Sequence, residues 1–352
     1  MLVAPPSLRE IAERVERRLE ALVAVEQDRW AELDPDLSAP LAALGHLLLS
    51  GGKRLRPAFC HWGFVGAGGE PGDERWVDAG AAFELLHAFA LFHDDVMDGS
   101  STRRGSRTTH LGFADEHLRE AWAGEARRFG EGVAILVGDL AFVYADQLMH
   151  GAPEVAWQVW TELRIELNIG QYLDILGTAR GERTRATAER IARYKSGKYT
   201  VERPLHLGAL LAAPERAAEL VPALSAYGLP LGDAFQLRDD VLGAFGESSI
   251  TGKPVGDDLR EGKPTPLMAI ATALATPAQT EVLALVGQPE LTETDIEAIQ
   301  GVLVETGALA ELETVIDALI DDALTALDAI DIIDDSRKAL TELAHYVAWR
   351  DR

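Results

Sequence analysis

The sequence contains very little cysteine, and this excludes two classes of protein. Its 352 residues include one cysteine, so neither an internal disulfide nor a zinc site built from several cysteines can form. Long apolar runs are also missing. The longest, at 79–92, is shorter than the roughly 18–20 residues that span a bilayer, and it contains Glu84 and His87. The N-terminus lacks the pattern of a signal peptide. We therefore expect a cytoplasmic protein without a membrane span.

Basic residues are scarce as well. The 33 Lys and Arg stand against 57 Asp and Glu, giving a formal net charge of −24. This excludes a general nucleic-acid binder, which needs a basic surface to displace counterions. The basic residues cluster at 53–56, 103–104, 195–198 and 253–263. Such clusters on an acidic protein indicate that an anion is bound locally.

Alternating strand patterns are absent, whereas apolar residues recur with the helical period along most of the chain. We therefore predict an all-α fold formed by a single large domain over 1–352, with covering helices at 271–352. Ser7 and Glu10 have the spacing of a capping box at the first helix. The predicted helices lie near 7–33, 38–50, 54–67, 75–98, 106–128, 131–150, 154–179, 186–212, 215–246, 264–275, 278–286, 293–304, 308–330 and 335–350.

Two acidic clusters end two of the apolar helices. Asp94 and Asp98 are four residues apart and share a helix face. Carboxylates this close raise each other's pKa unless a cation compensates, and Mg²⁺ prefers oxygen ligands. Asp239 and Asp240 end another long apolar helix, so the two clusters can face one another in a helix bundle. One cluster alone is more often a solvated helix end; two favour a metal site.

A glycine turn at 51–52 places Lys53 and Arg56 at a helix start, where backbone N–H groups favour anions. Arg103 and Arg104 follow the first acidic cluster closely. Arginine offers a bidentate fork to phosphate oxygens, and lysine a compact point charge. Taken singly, each residue is more often a surface cation; together with the acidic clusters they indicate a polyanion site.

Other polar residues lie within apolar helices. His87 precedes Asp94 by two turns on the same face, which favours a substrate contact over a structural histidine. Gln171 and Asp174 form a polar face that either lines a cavity or is ordinary surface. Cys60 is predicted to be a small buried apolar residue.

Seven motifs, in order from about 45 to 270, resemble those of the trans-isoprenyl diphosphate synthases, the polyprenyl synthetase family. They are GGKRLRP (51–57), HDDVMD (93–98), RRG (103–105), GQYLD (170–174), YKSGKYT (194–200), FQLRDD (235–240) and GKPVGDDLREGK (252–263). The resemblance implies an antiparallel helix bundle around a central cavity. It also implies a Mg²⁺-dependent homodimer that condenses an allylic diphosphate with isopentenyl diphosphate.

By this resemblance, three Mg²⁺ ions per active site would bind Asp94, Asp98 and Asp239, with support from Asp95 and Asp240. The allylic diphosphate would be bound by Arg103, Lys195 and Lys253. Isopentenyl diphosphate would be bound by Lys53, Arg56, His87 and Arg104. Gln236 and the hydroxyl of Ser196 would face the developing carbocation, and Lys263 would belong to a loop that closes over the diphosphate.

Two features of the motifs bear on metal binding and product size. Glycine stands at 243, where the family usually has a third aspartate, and we expect Gly243→Asp to be tolerated. Phe89, five residues before Asp94, is the predicted chain-length residue, because the growing tail must run along this helix away from the acidic cluster. We expect geranylgeranyl diphosphate as the product, with the C15 and C25 products as alternatives.

Two other functions are compatible with parts of this pattern. A class I terpene cyclase shares the first acidic motif, but it normally has a different second motif and lacks the Lys53 and Arg56 site. A non-catalytic subunit of a heteromeric prenyl synthase usually loses the aspartates that this chain keeps. Both comparisons favour an elongating synthase.

Overall fold

A computed structural model of the chain describes residues 5–180, 193–246, 255–288 and 290–349, and these residues form an all-α fold. A π-helical segment, Arg193–Glu202, precedes α8 directly, and short 3₁₀ turns occur at Pro35–Leu37 and Pro214–Arg216. The α-helices within these ranges are α1 (Pro6–Leu33), α2 (Ser38–Leu49), α3 (Leu55–Gly66), α4 (Glu74–Met97), α5 (Thr109–Arg119), α6 (Ala126–Leu148), α7 (Glu154–Arg180), α8 (Arg203–Ala212), α9 (Ala217–Phe245), α10 (Asp257–Glu261), α11 (Pro266–Leu274), α12 (Pro277–Leu283), α13 (Glu293–Glu305), α14 (Ala308–Asp328) and α15 (Asp334–Trp349).

The two helices that carry the acidic clusters, α4 and α9, lie in the middle of an antiparallel bundle around a central cavity. Helix α4 packs against α1, α3 and α6, and α9 packs against α14, α15 and the π-helical segment. Thirteen of the residues of α4 are buried, including Trp76 and Phe83. Burial around the whole helix explains why the sequence shows no polar face there. Within the described ranges, no helix combines the length and the hydrophobicity needed to cross a membrane.

The predicted helix over 106–128 is wrong at both ends. Two short antiparallel strands, β1 (Thr102–Arg103) and β2 (Ser106–Arg107), pair before α5 begins. Their turn has positive φ at Arg104 and Gly105, the geometry that joins two-residue hairpins. After α5 the chain leaves the helix at Ala121, where φ is again positive. The two strands comprise four residues of the described chain, so the prediction of an all-α fold is unaffected.

Side chains cap four of the described α-helix starts, at Asp73, Thr265, Thr276 and Thr292, but the predicted capping box at Ser7 is wrong. Helix α1 begins at Pro6, whose fixed φ suits the first helical position, and no side chain caps it. The Ser7 hydroxyl is buried and lacks a hydrogen-bond partner among the described residues. Reciprocal capping boxes occur instead at Thr276 with Gln279 and at Thr292 with Asp295, which begin α12 and α13.

Helices α3 and α8 approach so closely that their backbones touch at two glycines. A Cβ on Gly63 would lie 2.4 Å from the carbonyl oxygen of Leu205, and a Cβ on Gly208 would lie 1.9 Å from that of Cys60. Neither distance is compatible with a side chain. The same kind of contact joins the π-helical segment to α9, where a Cβ on Gly232 would lie 2.6 Å from the Gly197 oxygen. Cys60 itself is fully buried, as predicted, and burial raises the pKa of its thiol.

Candidate active site

A cavity of about 400 Å³ between α3, α4 and α9 is rich in cationic side chains. It brings together six residues that the sequence analysis assigned to anions or metal, namely Lys53, Arg56, His87, Arg103, Arg104 and Asp239. The remaining lining residues are Gly52, Arg54, Leu55, Glu84, Leu91, Thr200 and Phe235. Five of the lining residues carry a guanidinium or ammonium group, so the cavity suits a polyanion.

Arg54 organises the loop before α3, a role that the sequence analysis missed. Its side chain is buried and donates to the carboxylate of Glu84, to Glu16 Oε1 at 3.2 Å and to the Leu48 carbonyl oxygen at 2.6 Å. Its backbone is left-handed, with φ of 48°. Burial alone would lower the pKa of Arg54, but the charges of Glu84 and Glu16 raise it. Arg54 therefore fixes the loop that presents Lys53 and Arg56.

The β1–β2 hairpin holds Arg103 and Arg104 at the cavity. Arg103 donates from Nε and Nη2 to Asp95 Oδ1, at 2.9 and 2.6 Å. Asp95 is buried and orients Arg103, and its support of metal binding stays a prediction. Arg104 donates from Nη1 to the Leu47 carbonyl oxygen at 2.9 Å. Burial lowers the pKa of Arg104; Glu84 opposes this, and the neighbouring Arg54 adds to it.

Tyr199 links Arg56 to the π-helical segment. The Arg56 guanidinium lies over the Tyr199 ring, 4.2 Å from its centroid, as in a cation–π contact. His87 faces the same ring at 6.3 Å between centroids. Desolvation, and then the charge of Arg56, hold the pKa of His87 well below its ordinary value, so the imidazole is neutral at neutral pH. Tyr199 stands within the motif YKSGKYT, but its sequence position did not reveal this contact.

The π-helical segment is anchored by a buried carboxylate on α7. Glu166 accepts two hydrogen bonds from Arg203, at 2.7 and 2.6 Å, and a third from Lys198. Burial raises the pKa of Glu166, but the bonds from Arg203 and Lys198 outweigh it and lower the pKa. Tyr199 and Thr200 lie between Lys198 and Arg203, so the hydrogen bonds of these two residues to Glu166 fix the part of the chain that carries Tyr199 and Thr200.

A second cavity, of about 130 Å³, adjoins the first and is mainly apolar. The two cavities share Arg56, His87 and Leu91 in their walls. Phe89 lines the second cavity, as predicted, and its ring packs against Phe142 of α6 with 4.9 Å between centroids. The other lining residues are Ala90, His93, Asp94, Met97, Leu167, Asn168, Gln171 and Tyr199.

This cavity decides the open question about Gln171 and Asp174. Gln171 lies in its wall and contacts the Met97 sulfur at 3.6 Å, whereas Asp174 lies in the wall of neither cavity. Helix geometry explains why one residue lines the cavity and the other does not, because side chains three residues apart differ in direction by about 60° around the helix axis. Asp98, beyond the end of α4, is exposed and also lies outside both walls.

The second acidic cluster combines a partly buried and a buried carboxyl group. Asp239 reaches the cationic cavity, whereas Asp240 is 5% exposed and accepts a hydrogen bond from Gln236 Nε2 at 2.8 Å. Its other oxygen, Oδ2, has no donor within the described part of the chain. Burial raises the pKa of Asp240 well above its ordinary value; the Gln236 bond opposes this, and the charges of Asp258 and Asp239 add to it.

Lys263 lies beside this cluster in a group of acidic side chains. Its ammonium group is 3.0 Å from Asp258 Oδ1 and 2.7 Å from Glu261 Oε2. Burial lowers the pKa of Lys263, but these two charges outweigh it and raise the pKa. Asp257, Asp258 and Glu261 can each bring one carboxylate oxygen within 4.8 Å of the other two. Within the described chain, the predicted ligands Asp94, Asp98 and Asp239 do not form such a compact group.

The donor set nevertheless fits a hard divalent cation bound together with a diphosphate. Mg²⁺ typically uses one or two carboxylates and takes its remaining ligands from water and substrate phosphates, so separated aspartates suffice. Asp240 Oδ2, which has no hydrogen-bond donor among the described residues, would be a further oxygen available to such a cation. Tolerance of Gly243→Asp stays a prediction; because a Cβ at 243 would lie 1.9 Å from Asp258 Oδ2, it requires the end of the Asp258 side chain to move.

Three of the predicted residues cannot be placed. Lys253 lies outside the described residues, as do the side chains of Lys195 and Ser196, although the backbone of both belongs to the π-helical segment.

Comparisons with known proteins agree with this geometry. The family model described as polyprenyl synthetase matches residues 39–303. A geranylfarnesyl diphosphate synthase of Aeropyrum pernix is 31% identical over 87% of this chain and 92% of its own length. A geranylgeranyl diphosphate synthase of Mycobacterium tuberculosis is 34% identical over 80% of this chain and 76% of its own length.

Among solved structures, a geranylgeranyl pyrophosphate synthase from Corynebacterium glutamicum, complexed with isoprenyl diphosphate and magnesium, has a TM-score of 0.91. It is 37% identical in sequence, and the similarity covers 97% of this chain and 99% of the other. The fold is therefore that of the all-α isoprenoid synthases, as predicted.

The fold and the two adjoining cavities assign the protein to the class of enzymes that act on prenyl diphosphates. Within this class the chain belongs to the polyprenyl synthetase family, since the family model matches well over half of its residues. It is a trans-prenyltransferase, a prenyl diphosphate synthase, and the predictions of family and enzyme class are confirmed.

Proposed function

We propose that this protein condenses an allylic diphosphate with isopentenyl diphosphate and releases geranylgeranyl diphosphate. The observation that carries this proposal is the pair of adjoining cavities, one cationic and one apolar, which share Arg56, His87 and Leu91. A substrate with a charged head and an apolar tail needs such a pair. Two diphosphates also need more cationic groups than one, and five line the cationic cavity.

The head of isopentenyl diphosphate binds Lys53, Arg56 and Arg104. Arg56 is held by the Tyr199 ring and Arg104 by the Leu47 carbonyl, so both cations are oriented before the substrate arrives. A preorganised cation stabilises an anion without the cost of ordering its own side chain. His87 is neutral and donates one hydrogen bond to a phosphate oxygen.

The allylic diphosphate binds opposite, at Arg103, Lys195, Lys253 and the aspartates of both clusters. Asp94, Asp98 and Asp239 would hold three Mg²⁺ ions, which would supply Lewis-acid stabilisation of the departing diphosphate. Arg103 is fixed by Asp95 and adds charge stabilisation as the allylic C–O bond breaks. Lys263 stands beside the second cluster and closes over the diphosphate.

The allylic cation then needs polar groups that cannot add to it. Gln236 uses its amide N–H to bind Asp240, which leaves its carbonyl oxygen to face the cation together with the Ser196 hydroxyl. The double bond of isopentenyl diphosphate attacks the cation and forms the new C–C bond. A proton is then lost to the released pyrophosphate, which restores a double bond. The apolar cavity keeps water away from the cation.

The length of the product depends on the apolar cavity. Phe89 is braced from behind by Phe142 and by His93, whose ring centroid is 4.6 Å away, so its ring cannot easily swing aside. A single aromatic residue at this depth supports a C20 product. Relatives are named as geranylgeranyl, geranylfarnesyl, heptaprenyl and octaprenyl diphosphate synthases, so the choice of a C20 product rests on Phe89 and not on the comparisons.

The proposal also includes an oligomeric state and a location: the enzyme is a homodimer and acts in the cytoplasm. Helix α6 exposes an apolar face, with Leu136 63% and Val143 60% exposed one heptad apart and Ile135 beside them. Exposed apolar faces of this kind mark protein interfaces. Sedimentation velocity should give a dimer for the wild type and a monomer for Leu136→Glu.

The test of the function is incubation with isopentenyl diphosphate and each of three allylic primers, of C5, C10 and C15, with Mg²⁺. Products are separated by chain length after phosphatase treatment. Geranylgeraniol from all three primers supports the proposal. Only cyclised hydrocarbons, or no product at any primer length, would refute it. Asp94→Ala provides the inactive control, with helicity checked by circular dichroism.

A further inference from the structure

Glu166 of α7 binds two cations that are five residues apart in a neighbouring part of the chain. Its carboxylate is buried and accepts hydrogen bonds from Lys198, inside the π-helical segment Arg193–Glu202, and from Arg203, the first residue of α8. Arg203 donates from both Nε and Nη2, at 2.7 and 2.6 Å, which is the bidentate geometry of a charge-assisted pair. Glu166 therefore ties α7 to the end of the segment.

The five-residue spacing of Lys198 and Arg203 fits the π-helical register. In a π-helix the backbone hydrogen bonds join residues five apart, so such residues lie about one turn from each other. In an α-helix, with about 3.6 residues per turn, side chains five residues apart point about 140° away from each other. A carboxylate that binds both cations therefore favours the π-helical register over the α-helical one.

Two other contacts of the segment are more exposed or carry no charge. At its start, Arg193 donates to Asp233 Oδ2 at 2.6 Å, but the Arg193 side chain is 54% exposed, and exposed ion pairs contribute little. In its middle, Gly197 lies against Gly232 of α9. Long π-helical runs are rare, so a ten-residue segment needs stabilising contacts. Among these contacts, that of Glu166 combines burial with charge.

The register determines which side chains of the segment reach the two cavities. Tyr199 lines the apolar cavity and contacts the Arg56 guanidinium, 4.2 Å from the ring centroid, whereas the next residue, Thr200, lines the cationic cavity. A shift of one residue in register would turn both side chains by about 100° around the axis and separate Tyr199 from Arg56. Glu166 is next to Leu167, another wall residue of the apolar cavity, so it joins two walls of that cavity.

We propose that Glu166 is a positioning residue that holds Arg193–Glu202 in the π-helical register. This register keeps the Tyr199 ring against Arg56, and Glu166 thereby sets the affinity for isopentenyl diphosphate without touching it. The effect on isopentenyl diphosphate rests on the proposed function, whereas the effect on the segment is independent of it, and each is measured separately.

Hydrogen exchange followed by mass spectrometry measures the hold on the segment in the full chain. Glu166→Gln keeps the side-chain volume and removes the charge that binds Lys198 and Arg203. Peptides covering 197–203 should exchange at least about tenfold faster than in the wild type, because a buried pair is broken and exchange reports local opening. Circular dichroism checks that the variant is folded.

Asp146→Asn is the matched control. It also removes a carboxylate that accepts two hydrogen bonds from an arginine, but the described partners of Asp146 are Trp160 and Arg164, which both lie on α7. Because the control leaves Glu166 and its cations in place, exchange in 197–203 should stay within about twofold of the wild type.

Calorimetric titration with isopentenyl diphosphate alone measures the link to Arg56. No allylic primer is present, so no turnover occurs, and EDTA removes metal, which the proposed site for this substrate does not use. Glu166→Gln should weaken binding about three- to thirtyfold, the effect of losing a cation–π contact, and Asp146→Asn should stay within about twofold of the wild type. In a Tyr199→Leu background, the further loss from Glu166→Gln should fall below about twofold, since both changes act through the same contact.

Wild-type exchange in the segment of Glu166→Gln, or equal acceleration by Asp146→Asn, would overturn the role of Glu166. Faster exchange with wild-type affinity, or losses that add fully to those of Tyr199→Leu, would equally overturn it and leave Glu166 a residue of stability alone. If Glu166→Gln does not fold, Lys198→Met removes one donor and should give both changes to a smaller extent. A wild type that does not bind isopentenyl diphosphate would refute the proposed function, and faster exchange in Glu166→Gln would still support the hold on the segment.

Discussion

Glu84→Gln should destabilise the protein far more than Glu16→Gln, although both carboxylates bind the same arginine. The Arg54 side chain is 1% exposed and that of Glu84 4%, whereas that of Glu16 is 37% exposed. Removing the charge of Glu84 leaves the buried Arg54 guanidinium with the partly exposed carboxylate of Glu16 as a weaker counterion, and breaking a buried pair in this way costs about 3–5 kcal/mol. A half-exposed pair contributes at most about 1 kcal/mol. The two variants should therefore differ by at least about 2 kcal/mol, or roughly 30-fold in the ratio of folded to unfolded protein.

Urea unfolding followed by circular dichroism measures this difference, at one protein concentration because association affects apparent stability. Both variants are isosteric with wild type, so the comparison isolates charge. Equal losses in the two variants would show that burial of the Arg54–Glu84 pair does not control its contribution. A loss below about 1 kcal/mol in Glu84→Gln would refute the reasoning outright.

Further predictions concern chemistry, product size and pH. Asp94→Ala should lower kcat by at least about a hundredfold in an isopentenyl diphosphate incorporation assay, with an unchanged dichroism spectrum; normal turnover would contradict the metal assignment. Arg56→Ala should raise the KM for isopentenyl diphosphate more than that for the allylic primer, and equal increases would contradict two separate anion sites. Phe89→Ala should lengthen the product by at least one isoprene unit, and an unchanged product would show that another residue limits the depth. Burial lowers the pKa of His61 to about 4 and of His206 to about 3. The unfolded state therefore binds these protons first, and stability should fall between pH 6.5 and 4, by up to about 1.4 kcal/mol per pH unit for each histidine; pH-independent urea midpoints would refute this.

Much of the fold was predictable because its signals are local. The helical period marks nearly every helix, and the end of α4 follows directly from Gly99 after the first acidic cluster. The error at 106–128 arose because α5 and the β1–β2 hairpin carry helix-compatible residues, and positive φ at Arg104 and Ala121 cannot be inferred from non-glycine residues. The assignment of 1–352 to one domain stays a prediction.

Site residues could be predicted where a sequence motif contains charged residues. They could not be predicted where their role depends on contacts between residues that are distant in the sequence. Lys53, Arg56, Arg103 and Arg104 meet at one cavity as expected. By contrast, the environment of a residue such as Arg54 is set by Glu84, thirty positions away on another helix. The contact between Gly243 and the Asp258 carboxylate likewise depends on how α10 packs against α9, and no local sequence pattern predicts that packing.

The glycine contacts between α3 and α8 restrict how this enzyme can be re-engineered. Because Gly63 and Gly208 bring backbone against backbone, the two helices cannot slide or separate to admit a larger substrate without losing that contact. Arg56 lies on α3, and Tyr199 lies on the π-helical segment that leads directly into α8, so a shift between the two helices would also disturb the cation–π contact between these residues. Libraries that aim to vary the product should therefore spare both glycines and change side chains on α4 and α7, which line the apolar cavity, and on α6, which packs against Phe89.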